Sequence, residues 1–310
     1  MVFFILKRQF LKKNLLEYIK LLTFNEHFIS SLFLFAGFIT IGFQLKNVFK
    51  KSTGINLTTF DTLTLPISQN LWGYIIPFQG AFLYSLVYLK SKYRIEAKSS
   101  IAVYLFVILA SLFLGGISGV VYLSSKGGNI FQIMFFSFFI ICPFLLIMSK
   151  WVLNKITIKN KNSIFHKSKQ YILNIFEELV HLFKSKRFLM NVFLVDITYV
   201  VIFSIWSYWL SLVLGYDIPI IFFLSLGFLM KLHSFAKLTP GNIGVIQLLV
   251  AGYFSIFGLD PEIGILISLL QLITNIIFGF PVALIITIIS MKSFTNLQSD
   301  LLQLIKKKSN

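Results

Sequence analysis

Almost none of the chemistry that soluble enzymes rely on is present in this chain. Its one cysteine, Cys142, stands inside an apolar run, which excludes an internal disulfide and any cysteine metal site. Four scattered histidines and eleven acids are too few and too dispersed for metal-ligand spacing, so neither a metal nor a cofactor is expected. There is no Ser/His/Asp set, no acidic pair on an outward loop of the kind a metal-dependent transferase needs, and no Gly-rich nucleotide loop. A membrane enzyme would have only Asp61, Asp196, Asp217 and His233 to work with. No catalytic residue is expected.

What the chain has in quantity is apolar side chain and positive charge. Hydrophobic residues make up 57% of it and the mean hydropathy is +0.84, which points to an all-α, polytopic integral membrane protein. The net charge of +17 could suggest nucleic acid, but no soluble domain is large enough to present a basic face. Lys and Arg beside membrane spans are topology signals and contacts to anionic lipid. The first apolar run, Val2–Leu6, is too short for a signal-peptide core, and the mature protein is expected to begin at Met1.

Eight hydrophobic segments can be read: Phe28–Leu45, Leu63–Leu89, Ile101–Leu123, Ile130–Met148, Phe188–Leu214, Ile218–Leu232, Ile243–Phe257 and Ile263–Ile289. They fall into a membrane half at 28–148 and another at 188–290, joined by a basic linker at 149–187. A basic segment at 1–27 and a tail at 291–310 flank them. Leu63–Leu89 carries Pro66, Gln69, Asn70, Pro77, Gln79 and Gly80 and is read as one crossing with a broken middle. With that crossing, 24 of the 28 Lys and Arg fall on the side of 1–27, 90–100, 149–187, 231–240 and 290–310. Positive charge stays inside, so both termini and the linker are expected in the cytoplasm.

Two stretches outside the spans have helical amphipathic spacing. One is Leu11, Leu15, Tyr18 and Leu22; the other is Ile172, Phe176, Leu179 and Phe183. Both are expected to lie in the headgroup plane. Each membrane half contains one Pro/Gly-broken segment, which hints at an internal repeat without an alignment to carry it.

The second break is the more informative. Ile218–Leu232 and Ile243–Phe257 are 15 residues each, about 22 Å of helix against a hydrocarbon core of about 30 Å. Between them stands Thr239-Pro240-Gly241-Asn242-Ile243-Gly244, with Lys231, His233 and Lys237 just upstream. Pro240 lacks an amide hydrogen and the glycines accept left-handed dihedrals. Backbone groups freed there must face protein, water or a ligand. Transporters place substrates at such breaks; a tight turn between tilted helices is the plainer alternative.

Other residues invite weighing. Asp196, inside Phe188–Leu214, either faces a polar interior, with Lys231 or Lys237 as partner, or sits near the inner headgroups. Gln247 and Gln271 are amides that can join helices or hold a ligand. Asp260-Pro261-Glu262 is a helix stop and restart. Trp206, Tyr208 and Trp209 fit an aromatic belt. Gly115-Gly116-Ile117-Ser118-Gly119 fits close helix packing.

The stretch Lys237-Leu-Thr-Pro240-Gly241-Asn-Ile-Gly244-Val-Ile-Gln247, then Phe257-Gly258-Leu-Asp260-Pro261 and the last span, resembles the lysylphosphatidylglycerol synthase transmembrane-region family, also described as flippase-like. It is similar to that family's Pro-Gly-Gly-x-Gly-x-x-Glu pattern. Ile76-Pro77-Phe78-Gln79-Gly80, followed by Tyr88-Leu89-Lys90, is similar to the Pro/Gly segment of the family's first half. Two positions depart: the pattern's Glu is Gln247 here, and an Arg common in the last span falls at Gln271. If the family pairs those charges, this chain carries amides at both ends of the pair.

The resemblance implies movement of a lipid or lipid-linked headgroup across a bacterial or archaeal cytoplasmic membrane. The substrate is expected to be an anionic phospholipid or a polyprenyl-linked glycan. Envelope glycan biosynthesis proteins are possible partners, and nucleic acid is not. The residues expected to line the path are Pro77, Gly80, Lys231, Lys237, Pro240, Gly241, Asn242, Gly244, Gln247 and Gln271, with Asp196 as an intramembrane charge. A transferase using a lipid carrier and a non-catalytic scaffold remain as alternatives.

Overall fold

Backbone amides in a bilayer core have no water to bond, so a spanning chain satisfies them within helices. The computed structural model describes residues 20–76, 80–125, 129–155, 164–230 and 239–291, and these are helical with no strand among them. The helices are α1 (Phe24–Thr53), α2 (Thr59–Ile75), α3 (Gly80–Tyr93), α4 (Ala97–Ser125), α5 (Ile130–Lys155) and α6 (Ile164–Phe183). They continue with α7 (Lys186–Val213), α8 (Ile220–Met230), α9 (Val245–Ile256), α10 (Pro261–Thr274) and α11 (Phe280–Met291). Helices α1, α4 and α7 are long and apolar enough to cross a membrane. So is the continuous run Pro261–Ser290, in which α10 passes into α11 through a π-helical turn at Asn275–Gly279.

Local signals set the boundaries. Thr23 accepts the Glu26 N–H while the Glu26 carboxylate takes the Thr23 N–H at 2.6 Å, a capping box that starts α1. Asp260 caps α10, with Pro261 at its first turn and the Glu262 N–H bonded to the Asp260 carboxylate at 2.9 Å. This is the stop and restart expected from the sequence. Gly116 and Gly119 let α5 approach α4: a Cβ on Gly116 would stand 2.8 Å from the Phe136 carbonyl oxygen.

The first broken segment corrects the sequence reading. Helices α2 and α3 do not continue one crossing; they form a hairpin. The Tyr93 hydroxyl accepts the Thr58 N–H at 3.0 Å at its open base, and Trp72 stacks on Tyr84 near its turn, with ring centroids 5.8 Å apart. Its arms have 17 and 14 residues, about 25 and 21 Å, so neither reaches across a bilayer. Helices α8 and α9 form a second hairpin. Ser225 is hydrogen-bonded to Tyr253, and Phe222 packs on Phe257 at 5.6 Å.

The hairpins enter from opposite ends. Helices α1 and α7 are antiparallel, pairing Ser30 with Trp206 near one end and Gln44 with Asp196 further along. The α2–α3 base lies at the Thr53 end of α1, and the α8–α9 base at its Phe24 end. The placement of 1–27 beside the linker depended on a crossing at Leu63–Leu89; Phe24 and α6 stand at opposite ends of the bundle. Among the described residues, 14 Lys and Arg lie at the α6 end and Lys20 at the other.

The order helix, hairpin, helix therefore occurs twice in opposite directions, as α1–α4 and as α7–α11. That is the form of an inverted-topology repeat. Among the described residues the two largest apolar clusters lie at opposite ends of the bundle. One, around Phe222, Phe254 and Leu210, occupies the Phe24 end, and the other, around Phe49, Phe106 and Leu182, the Thr53 end.

Helix α6 closes the second end. Leu179 of its expected stripe is buried and Phe176 and Phe183 pack on the cluster, with Phe183 4.8 Å from Phe106. Ile172 is exposed. The α6 stripe thus packs largely on the bundle's own end, and only part of it is free for a headgroup layer. The other amphipathic stretch, with Leu11, Leu15 and Tyr18, lies outside the described residues.

Candidate functional site

The hairpin tips meet midway along the bundle. The turn after α8 is a short 3-10 segment, Pro240–Asn242, in which Gly241 has φ +61° and Asn242 φ +54°. A Cβ on Gly241 would overlap the ring of Tyr74 from the first hairpin. Glycine therefore serves both requirements: left-handed backbone and contact with an aromatic face. Gly244 follows with φ +87°, and its N–H donates to the Gln247 side-chain oxygen at 2.7 Å. Gln247 thus caps α9 from within, standing in for the amide partner that the break removes. At the other tip, a Cβ on Gly80 would come 2.6 Å from the Trp72 carbonyl oxygen, so the first hairpin turn too is closed by close approach.

Between the tips, bounded by α1, α4, α7 and α10, is a cavity of about 520 Å³. Of the expected site residues, Gly241, Asn242, Gln247 and Gln271 line it. Gly244 and Gly80 shape the turns without lining it. Pro77, Lys231 and Lys237 lie outside the described residues, and of Pro240 only its place in the turn is described.

Gln247 and Gln271 share the cavity wall but not a hydrogen bond. Gln271 donates to the Ser207 hydroxyl at 3.0 Å. Each amide has its own partner, so the two family positions do not form an amide copy of an ion pair.

Asp196 is fully buried and faces the interior of the bundle. It accepts from the Gln44 amide at 2.6 Å and the Ser111 hydroxyl at 2.9 Å, and both of those residues line the cavity. The carboxylate stands behind the wall.

The remaining polar wall was not foreseen as a unit. Asn70 and Asn275 exchange amide hydrogen bonds at 2.7 and 3.2 Å, and Asn275 also donates to the Tyr74 hydroxyl at 3.0 Å. Asn275 opens the π-helical turn, and such turns mark functional positions in many helices. Gln69 donates to both Ser85 and Tyr104. The sequence signal was present in Gln69 and Asn70, three and four residues after Pro66 and therefore on its face of α2. Gln44 and Asn275 were lone amides in apolar runs and carried no such pattern.

Trp206 is a further correction. It is buried, donates to the Ser30 hydroxyl at 2.6 Å and lines the cavity instead of joining an aromatic belt. Among the described residues, no group of three or more His, Cys, Asp or Glu is arranged to hold a metal. The arrangement offers hydrogen bonds and aromatic faces.

Comparison with protein families matches residues 9–283 to the model for the lysylphosphatidylglycerol synthase TM region. No curated protein and no solved structure matches the chain.

Proposed function

Since the chain belongs to the lysylphosphatidylglycerol synthase TM region family, a family of lipid-related membrane proteins, we propose that it translocates a lipid headgroup between leaflets. The observation that carries this reading is the cavity at the meeting point of two opposed hairpins, whose mainly apolar wall holds a cluster of amides and hydroxyls. Broken helices facing each other at mid-depth are the setting in which transporters bind substrate. An anionic phospholipid or a lipid-linked glycan is the substrate class, and Lys231 and Lys237 are proposed contacts for any phosphate. Other partners are proposed only by chemistry: membrane lipids, and proteins of envelope glycan assembly.

Charge supports an orientation for the cytoplasmic membrane. With 14 described Lys and Arg at the α6 end, that end is the cytoplasmic one. In a Cys142→Ser background, Lys98→Cys labels from the inside and Glu262→Cys from the outside. The opposite labelling of either site overturns the orientation.

The function is tested by reconstituting the full chain in liposomes with fluorescent lipids and following leaflet exchange by quenching from outside. Exchange above that of protein-free vesicles supports translocation; its absence for every lipid class refutes it.

A further inference from the structure

Resting on the reading of the cavity as a headgroup site, we propose that the headgroup it takes is neutral and polyhydroxylated, a sugar carried on a lipid. Among the described lining residues none bears a formal charge. The Asp196 carboxylate is not among the lining residues and accepts from Gln44 and Ser111, which are. The wall is mainly apolar, and its polar positions are amides and hydroxyls, among them Gln69, Asn70, Gln271, Asn275 and Tyr104.

Such groups both donate and accept, and so do sugar hydroxyls. A phosphate only accepts; amide oxygens facing it repel, and its charge would be desolvated without a described cation in the wall. The wall also carries the rings of Tyr74, Tyr104 and Trp206. Ring faces suit the C–H surface of a pyranose, which is apolar on one side and ringed by hydroxyls at its edge. The volume falls within the range of small-ligand sites, enough for a headgroup.

The amides are also arranged to be exchanged. Asn70 and Asn275 satisfy each other across the hairpin–π-turn contact. A hydroxyl pair entering between them replaces two amide–amide bonds with amide–hydroxyl bonds and leaves no buried group unpaired.

The test compares fluorescent-tail glucosyl diacylglycerol with phosphatidylglycerol bearing the same tails, in proteoliposomes of the full chain. In parallel, short-chain versions of both lipids are titrated against the detergent-solubilised protein, with tryptophan emission as readout and Trp206→Phe as control. The expected result is exchange of the glucosyl lipid about tenfold faster than phosphatidylglycerol, a gap equivalent to one modest polar contact. Saturable quenching by the glucosyl lipid, lost in Trp206→Phe, accompanies it.

Faster exchange of phosphatidylglycerol overturns the inference and leaves translocation standing, with Lys231 and Lys237 as its contacts. Glucosyl binding without exchange of either lipid upholds the headgroup class and refutes translocation. Neither binding nor exchange refutes both.

Discussion

In the α2–α3 hairpin the arms are joined at the base by Asp61, which accepts from Lys92 and Thr58, both at 2.6 Å, and from Tyr88 and Tyr93. At the corresponding place in the α8–α9 hairpin stand Phe222, Phe223, Tyr253, Phe254 and Phe257, ring against ring. The difference follows where each base lies. The first is at the bundle's basic end, where the Lys92 side chain is 35% exposed and keeps part of its hydration while Asp61 is fully buried. A buried carboxylate there is neutralised at moderate cost. The second is at the end where Lys20 is the one described base, and it closes by packing, the interaction that survives in lipid.

Four substitutions break or sharpen this comparison. The largest effect is expected at the point the hairpins share. Gly241→Val loads a β-branched side chain onto a left-handed backbone and into the Tyr74 ring, and should reduce leaflet exchange to the protein-free level. The double variant with Tyr74→Ala relieves the overlap but keeps the backbone strain of about 1–3 kcal/mol, so it stays impaired. Wild-type exchange in Gly241→Val would mean that the tips need not meet.

Next is the charged base. Asp61→Ala leaves Lys92 and three hydroxyls without their acceptor. The expected loss is about 2–3 kcal/mol, less than for a fully buried pair because Lys92 is partly exposed. Thermal unfolding in detergent reads it, and Asp61→Asn with Lys92→Gln should recover part of the loss. An unchanged midpoint would show that charge does not hold the first hairpin.

For the aromatic base, Phe222→Ala should cost about 3 kcal/mol through the cavity left among the rings, insensitive to salt. A salt-dependent loss would erase the distinction between the bases. The smallest effect is expected for Tyr253→Phe, which removes only the bond to Ser225, about 1 kcal/mol. If it exceeds Phe222→Ala, polar closure dominates in both hairpins.

The sequence made the breaks legible, because proline, glycine and short apolar runs are local properties. It did not make legible the side on which the first break returns. A broken crossing and a hairpin have the same composition, and the Thr58–Tyr93 contact that tells them apart spans 35 residues. The charge count inherited that ambiguity. Gly241, Asn242, Gln247 and Gln271 were found because a motif carries them. Tyr74, Tyr104, Asn275 and Trp206 were missed because helical spacing tells which residues share a face, not whether the face meets lipid or a cavity.

Segregated charge also has an electrical meaning. The α6 end carries 14 described Lys and Arg against Asp61, Glu96, Glu177 and Glu178; the other end carries Lys20 against Glu26, Asp217, Asp260 and Glu262. Counting the described residues alone, turning the folded molecule over would carry a net thirteen charges through the membrane field. At about 2.3 kcal/mol per charge for each 100 mV, that is work of about 30 kcal/mol before any cost of burying charge in lipid. An energised membrane therefore acts on this protein as a ratchet, and a repeat that is nearly symmetric in its helices is polarised in its voltage response.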